Sequence, residues 1–258
     1  MDRLIDQIKK DLTLGKDLWL FLDYDGTLAD FAKTPDVVTP DPKIIDLITR
    51  LSRHKHIHIS IISGRRLAHV RKLVPVPGIL LAGTYGIEML LATGEEVHQV
   101  EYLSIRPALE QIRPRWEELI KDKPGYYLED KGYAIALHCS EADPRELGDI
   151  ISQARAVIKE SLPPEPFRVI DGSRFLEVCH VLADKGETVR YIAMRFAGEN
   201  SQYLYIGDDA RDEDAFKTIQ QLGGYCIQVG NTAMEIKADL FLESPIQVLD
   251  WLEQLIAA

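Results

Sequence analysis

The sequence predicts an α/β fold, a doubly wound parallel sheet interrupted by an inserted α+β module, and three observations lead there. Short apolar runs of strand length alternate with amphipathic helical stretches over 18–82 and again from Lys185 onward, which is the rhythm of parallel βαβ units. Between them the order becomes helix, strand, strand, helix, strand, strand, a pattern that belongs to a separate α+β layer. Finally, the apolar runs 18–22, 57–62 and 203–206 end at Asp23, Ser63 and Gly207-Asp208. Open parallel sheets bind ligands beyond that end of their strands.

The elements follow in order. Leu4, Ile5 and Ile8 share one helical face within 1–11, predicting a short amphipathic helix that leads into the first strand. Residues 18–22, Leu-Trp-Leu-Phe-Leu, suit a strand buried on both faces. A proline-punctuated loop from Thr34-Pro35 to Pro42 gives way to a helix over 43–54, with Ile44, Leu47, Ile48 and Leu51 along one side. Strand 57–62 stops at Ser63-Gly64-Arg65. A helix over 65–73 and a short strand over 79–82 come next, and Gly83-Thr84-Tyr85-Gly86 turns the chain into a hairpin with arms near 87–91 and 95–100. Ile105, Leu109, Ile112, Trp116 and Leu119 mark an amphipathic helix over 105–119, followed by strands 126–130 and 133–139. A helix over 144–161, the break Pro163-Pro164-Glu165-Pro166 and strands 167–171 and 175–178 complete the insert. Residues 104–182 are therefore expected as the inserted module, and 1–103 with 183–258 as the parallel-sheet domain. From Lys185 the helix 186–196, strand 203–206, helix 212–222, strands 225–229 and 239–242 and a helix from Pro245 restore the βα rhythm.

Composition narrows the partners. Hydrophobic residues make up 46% and charged residues 28% of the 258, ordinary globular values with enough core to dispense with disulfides. With 30 basic against 41 acidic residues the formal charge is −11, which argues against nucleic acid or an anionic membrane surface as partner. Cys139, Cys179 and Cys226 are odd in number and widely spaced, so neither a zinc site nor a disulfide framework is expected and a reducing cytoplasm fits. Residues 1–10 carry charges throughout and do not resemble a signal peptide. No uncharged apolar run approaches the ~18 residues that cross a bilayer. The expectation is a soluble cytoplasmic protein, monomeric, acting on a small molecule.

The chemistry concentrates at the strand ends. In Asp23-Tyr24-Asp25-Gly26-Thr27 the two-residue period of extended chain turns both carboxylates the same way, while Gly26 permits a tight turn and Thr27 can hydrogen-bond it in place. Carboxylates this close repel, so a bound cation or a lysine is needed to keep them ionised. Asp208 and Asp209 form a second acidic strand end. Asp212-Glu213-Asp214, just after them, also suit the opening of a helix on dipole grounds alone. Asp23, Asp25 and Asp208 together would be an oxygen-rich site of the kind Mg²⁺ prefers. Ser63, Gly64 and Arg65 offer a hydroxyl and free N–H groups to a phosphate oxygen, or simply a serine N-cap. Lys185 supplies the nearby cation, although alone it reads as a surface lysine. Each piece has a bland explanation; their coincidence on one sheet points to phosphoryl transfer with an aspartate nucleophile.

Taken in order, Asp23-Tyr24-Asp25-Gly26-Thr27, Ser63-Gly64-Arg65, Lys185-Gly186 and Gly207-Asp208-Asp209-x-x-Asp212-Glu213-Asp214 resemble the four motifs of the haloacid dehalogenase superfamily of phosphatases, whose core is Rossmann-like. The insert is similar to the α/β cap domain of the sugar phosphatases. The run from Gly207 to Phe216 resembles the trehalose-6-phosphate phosphatase family in particular. The resemblance implies that Asp23 forms an aspartyl-phosphate, with Asp25 protonating the departing sugar oxygen and later deprotonating water. It implies Mg²⁺ on Asp23, the Asp25 backbone carbonyl and Asp208, supported by Asp209 and Asp212. Ser63 and Lys185 would bind phosphoryl oxygens, with Gly64 and Arg65 beside them on the substrate. Glu129, Lys131 and Glu177 would read sugar hydroxyls in a cap that closes over trehalose 6-phosphate. Three positions depart from the family pattern: Ser140 stands where an arginine is usual, Cys179-His180 where Arg-Pro is common, and Tyr85 where a histidine is expected. They keep a phosphorylated glucosyl- or mannosylglycerate open as the substrate. A phospho-accepting receiver-type module would share the aspartate, Mg²⁺ and lysine but needs no insert, and a dinucleotide-binding enzyme would need a G-x-G-x-x-G that the first strand lacks.

Overall fold

The computed structural model describes residues 3–31, 38–163, 165–172 and 174–257. The expected positions of Met1 in the first helix, of Thr34-Pro35 in the loop and of Pro164 in the proline break lie outside these residues. The described residues divide into two compact units, one running to Val97 and resuming at Asp184, the other His98–Ala183.

The first unit opens with α1 (Arg3–Thr13), β1 (Asp17–Leu22), α2 (Pro42–Ser52), β2 (Ile57–Ile62), α3 (Leu67–Leu73) and β3 (Leu80–Gly83). A hairpin of β4 (Glu88–Leu90) and β5 (Glu96–His98) follows, the last residue of β5, His98, being the first of the second unit. In the second unit come α4 (Tyr102–Leu119), β6 (Tyr127–Asp130), β7 (Ala134–His138), α5 (Pro144–Ser161), β8 (Phe167–Gly172) and β9 (Phe175–His180). The chain then returns through α6 (Lys185–Phe196), β10 (Ser201–Gly207), α7 (Glu213–Gln221), β11 (Tyr225–Val229), β12 (Leu240–Leu242) and α8 (Pro245–Ile256).

The large sheet has the order β12-β11-β10-β1-β2-β3-β4-β5. It is parallel from β12 to β3 and turns antiparallel where β4 pairs with β3. Strand alternation splits β1 between two core layers. Leu18, Leu20 and Leu22 pack with Ile5 and Ile8 of α1, Ile44, Leu47 and Ile48 of α2 and Val248 and Leu252 of α8. Trp19 and Phe21 pack on the opposite face with Val189 and Ile192 of α6 and Phe216 and Ile219 of α7. Covering both faces is what permits a near-continuous apolar strand, and it makes the sheet doubly wound. Local signals set the helix starts. At α2, Asp41 accepts from Lys43 N and Pro42 fills the first turn.

The second unit is an antiparallel sheet in the order β6-β7-β9-β8. It packs on α4 and α5 through Leu109, Ile112, Trp116, Ile135, Leu137, Ile150 and Val178. Helix α4 begins at Tyr102 rather than at Ile105, because its first turn is mostly exposed and carries no apolar periodicity to read. Likewise the helix expected from Asp212 opens with a 3-10 turn, Ala210–Asp212, under an Asp209 cap, and α7 proper starts at Glu213.

Candidate active site

Strand order decides where the acidic ends meet. β1 lies between β10 and β2, the point where the sheet's crossovers diverge and a crevice opens at the carboxyl ends. Asp23 leaves β1 still tied to its neighbour, its N–H donating to Ile206 O at 3.0 Å. Gly26 then turns the chain at φ +85°, and a Cβ there would come 2.3 Å from Asp208 Oδ2. Only glycine lets the β1 turn come this close to the β10 carboxylate. Thr27 Oγ1 reaches the same side chain, at 3.5 Å from Asp208 Oδ1.

One buried ammonium joins the motifs. Lys185 Nζ lies 2.7 Å from Asp23 Oδ1 and 2.6 Å from Asp212 Oδ1. Asp212 is fully buried and takes more donors: Tyr205 Oη at 2.7 Å on Oδ1, and Asp208 N at 3.0 Å and Asp209 N at 3.2 Å on Oδ2. These contacts fix the loop that carries Asp208 and Asp209. Asp209 accepts from Arg211 N at 2.9 Å and Arg211 Nε at 2.6 Å. Tyr205 was invisible as a site residue in the sequence, where it reads as one more apolar strand position. Its polar tip, at the end of a strand feeding an acidic cluster, was the available signal.

Electrostatics shows what this cluster lacks. Burial, opposed by Lys185 and reinforced by Asp212, raises the Asp23 carboxyl from 3.8 to about 7. Burial and the neighbouring Asp23, Asp209 and Asp212 raise Asp208 to about 9. Burial pulls Lys185 down, but Asp212 and Asp23 outweigh it and hold the ammonium charged. Burial also acts against an ionised Asp209, yet Arg211 outweighs it and keeps that carboxyl low. Oxygens of Asp23, Asp208 and Asp212 all fall within 4.8 Å of one another. A hard, oxygen-only cradle with more negative charge than its lysine can neutralise fits a divalent cation such as Mg²⁺.

The Ser63 loop is held by β3 and the turn after it. Ser63 O accepts from Tyr85 N at 2.9 Å and Arg65 O from Thr84 N at 2.7 Å. Both Thr84 and Tyr85 adopt left-handed backbone, φ 47° and 57°, a conformation non-glycine residues keep only where surroundings impose it. The buried Tyr85 ring lies over Gly64, where a Cβ would come within 2.8 Å of it. Ser63 Oγ accepts from Arg65 N at 3.1 Å, and the Arg65 side chain reaches the Asp25 carboxylate.

Within the second unit, Glu129, Lys131 and Glu177 are brought together although all three are buried. Lys131 Nζ lies 2.9 Å from Glu177 Oε2 and 4.0 Å from Glu129 Oε2, and His138 Nε2 lies 2.9 Å from Glu129 Oε2. At the turn carrying Ser140, Arg174 Nη1 donates to the carbonyls of Cys139, Ser140 and Ala142. Cys179 is buried, and His180 Nδ1 accepts from Leu182 N at 3.1 Å. Among the described residues, no helix is long and apolar enough to cross a membrane.

Known proteins resemble this chain in sequence and in fold. Over 252 residues the chain is 30% identical to a trehalose-phosphate phosphatase of Mycobacterium avium (strain 104), covering 93% of this chain and 62% of that protein. Over 255 residues it is 26% identical to a probable trehalose-phosphate phosphatase D of Arabidopsis thaliana, covering 94% and 68%. The chain thus spans about three fifths of the length of the mycobacterial relative, 62%. In fold it matches the C-terminal domain of a C. albicans trehalose-6-phosphate phosphatase, with TM-score 0.83, 23% identity and coverage of 97% of this chain and 96% of that one. It also matches a haloacid dehalogenase-like hydrolase from Bacteroides thetaiotaomicron, with TM-score 0.64, 14% identity and coverage of 93% and 100%. The family pattern described as Trehalose-phosphatase runs over residues 21–246, so the chain belongs to the trehalose-phosphatase family.

Proposed function

We propose that the protein is a Mg²⁺-dependent phosphomonoesterase that hydrolyses trehalose 6-phosphate to trehalose through an aspartyl-phosphate on Asp23. The observation that carries this reading is Lys185 Nζ bridging Asp23 and Asp212, 2.7 and 2.6 Å away, beside a third buried carboxylate, Asp208. Asp23 bonds to phosphorus as the bond from phosphorus to the sugar oxygen breaks, and Asp25 gives that oxygen its proton. Water then bonds to phosphorus, Asp25 accepts the water's proton, and the Asp23–phosphorus bond breaks to release phosphate. Ser63 Oγ, the Gly64 N–H and Lys185 Nζ hold phosphoryl oxygens, each a donor or cation where negative charge builds up, whereas the Arg65 N–H is already given to Ser63 Oγ. Asp23, the Asp25 carbonyl and Asp208 would hold Mg²⁺, with Asp209 and Asp212 organising them, and the ion would neutralise charge on the phosphoryl group. Glu129, Lys131 and Glu177 bind the sugar hydroxyls, a role that suits buried charged side chains with acceptor and donor atoms in one cluster.

The exposed Ser140 side chain, where the family pattern has an arginine, keeps a phosphorylated glucosyl- or mannosylglycerate as the alternative to trehalose 6-phosphate. The inserted unit His98–Ala183 disfavours a receiver-type signalling role. Phosphate release is to be measured with excess Mg²⁺ and with EDTA over trehalose 6-phosphate, glucose 6-phosphate and the glycosylglycerate phosphates. Turnover of trehalose 6-phosphate that EDTA abolishes is expected, and Asp23→Asn should remove it. No turnover of any sugar phosphate, or full activity in Asp23→Asn, defeats the reading.

A further inference from the structure

Arg65 reaches Asp25 with two prongs of its guanidinium, Nε to Oδ2 at 2.6 Å and Nη2 to Oδ1 at 2.7 Å. A paired contact of this kind fixes the plane of a carboxylate as well as its position. Both partners are enclosed, with side chains 9% and 19% exposed. Arg65 is held at its root as well, its N–H on Ser63 Oγ and its carbonyl on Thr84 N. The fork is therefore aimed by the backbone that ends β2 at the side chain that ends the β1 turn.

We propose that Arg65 is a positioning residue for Asp25, acting on the reaction through that carboxylate rather than through a side-chain contact with the substrate. The proposal rests on the reading of Asp25 as acid and base. When Asp25 carries its proton on one oxygen, the other still accepts from Arg65. After the proton has passed to the sugar oxygen, both prongs close, and the carboxylate faces the incoming water in the orientation it had before. Arg65 keeps its own protons in both steps and changes only whether one or both prongs are engaged. What it contributes is direction, which the single charged point of a lysine cannot supply.

A double-mutant cycle tests this in the full chain with excess Mg²⁺, measuring kcat and KM for a sugar phosphate that the unsubstituted protein hydrolyses. Arg65→Met should lower kcat about 10²-fold, the scale of lost acid–base catalysis, with KM changing by less than about 2-fold. Arg65→Lys, which keeps the charge and carries the same cycle where Arg65→Met fails to fold, should remain at least about 10-fold impaired. In an Asp25→Asn background either substitution should cost less than about 2-fold further, because the two residues act as one unit. The proposal is overturned by a KM rise with kcat retained, by full rescue with lysine, or by the same loss in both backgrounds. An unsubstituted protein that hydrolyses no phosphomonoester would overturn this proposal together with the function beneath it; an active one with an additive cycle overturns this proposal alone.

Discussion

Asp212 shows how much of the site rests on single side chains. The sequence placed it among the acidic residues around a metal, and the structure gives its two oxygens four donors, Lys185 Nζ, Tyr205 Oη and the N–H groups of Asp208 and Asp209. A carboxylate so occupied organises its neighbours. Tyr205→Phe removes a hydrogen bond to a buried carboxylate and is expected to cost about 1.5–3 kcal/mol in urea denaturation. An unchanged midpoint would show that Asp212 does not depend on it. Lys185→Met leaves the Asp23 and Asp212 carboxylates buried without their shared cation. It should lower kcat on the order of 10²–10³-fold, as loss of a donor to developing charge does elsewhere; kcat within a few-fold of the unsubstituted protein would separate Lys185 from the chemistry.

Among the elements, those marked by an apolar run or by a proline at the first turn were legible, and those whose first turn lacks such a mark were not. Strand β2 and helix α5 coincide with the expected 57–62 and 144–161, since an apolar run and a Pro after a capping Asp143 mark their ends. The start of α4 and the 3-10 turn ahead of α7 escaped, because exposed first turns and side-chain caps leave no apolar pattern. Helix α4 also carries the anchor of the second unit. Trp116 is fully buried and its Nε1 donates to Ala154 O at 3.1 Å, joining α4 to α5. Trp116→Ala should destabilise by about 3–5 kcal/mol through the cavity left behind. A loss below about 1 kcal/mol would mean that the α4–α5 interface does not depend on this ring.

At the scale of the whole molecule, stability should depend on pH and on the divalent ion together. Asp23 and Asp208 are raised from 3.8 to about 7 and about 9, so the folded protein keeps protons that the unfolded chain has already lost. The stability these groups contribute is complete below about pH 4 and falls as pH climbs through about 7 and then about 9. Asp209 is shifted the other way, below 3.8, outside that window. In EDTA the Tm should decline between about pH 5 and 8, less steeply in Asp208→Asn, and excess Mg²⁺ should raise it more at pH 8 than at pH 5. Equal Mg²⁺ shifts at the two pH values would contradict the assignment. The sequence by itself determined the α/β class, the placing of Asp23, Ser63 and Asp208 at strand ends, and the excess of oxygen ligands that calls for a cation, because apolar period and residue chemistry are local properties. Only the tertiary structure decided that Lys185 bridges Asp23 and Asp212, that Tyr205 feeds the same carboxylate, and that Arg65 grips Asp25. Those partners come from different strands and loops, and which atoms meet is set by the order in which β10, β1 and β2 lie side by side and by the close-packed turns that leave them, which no single stretch of the chain encodes.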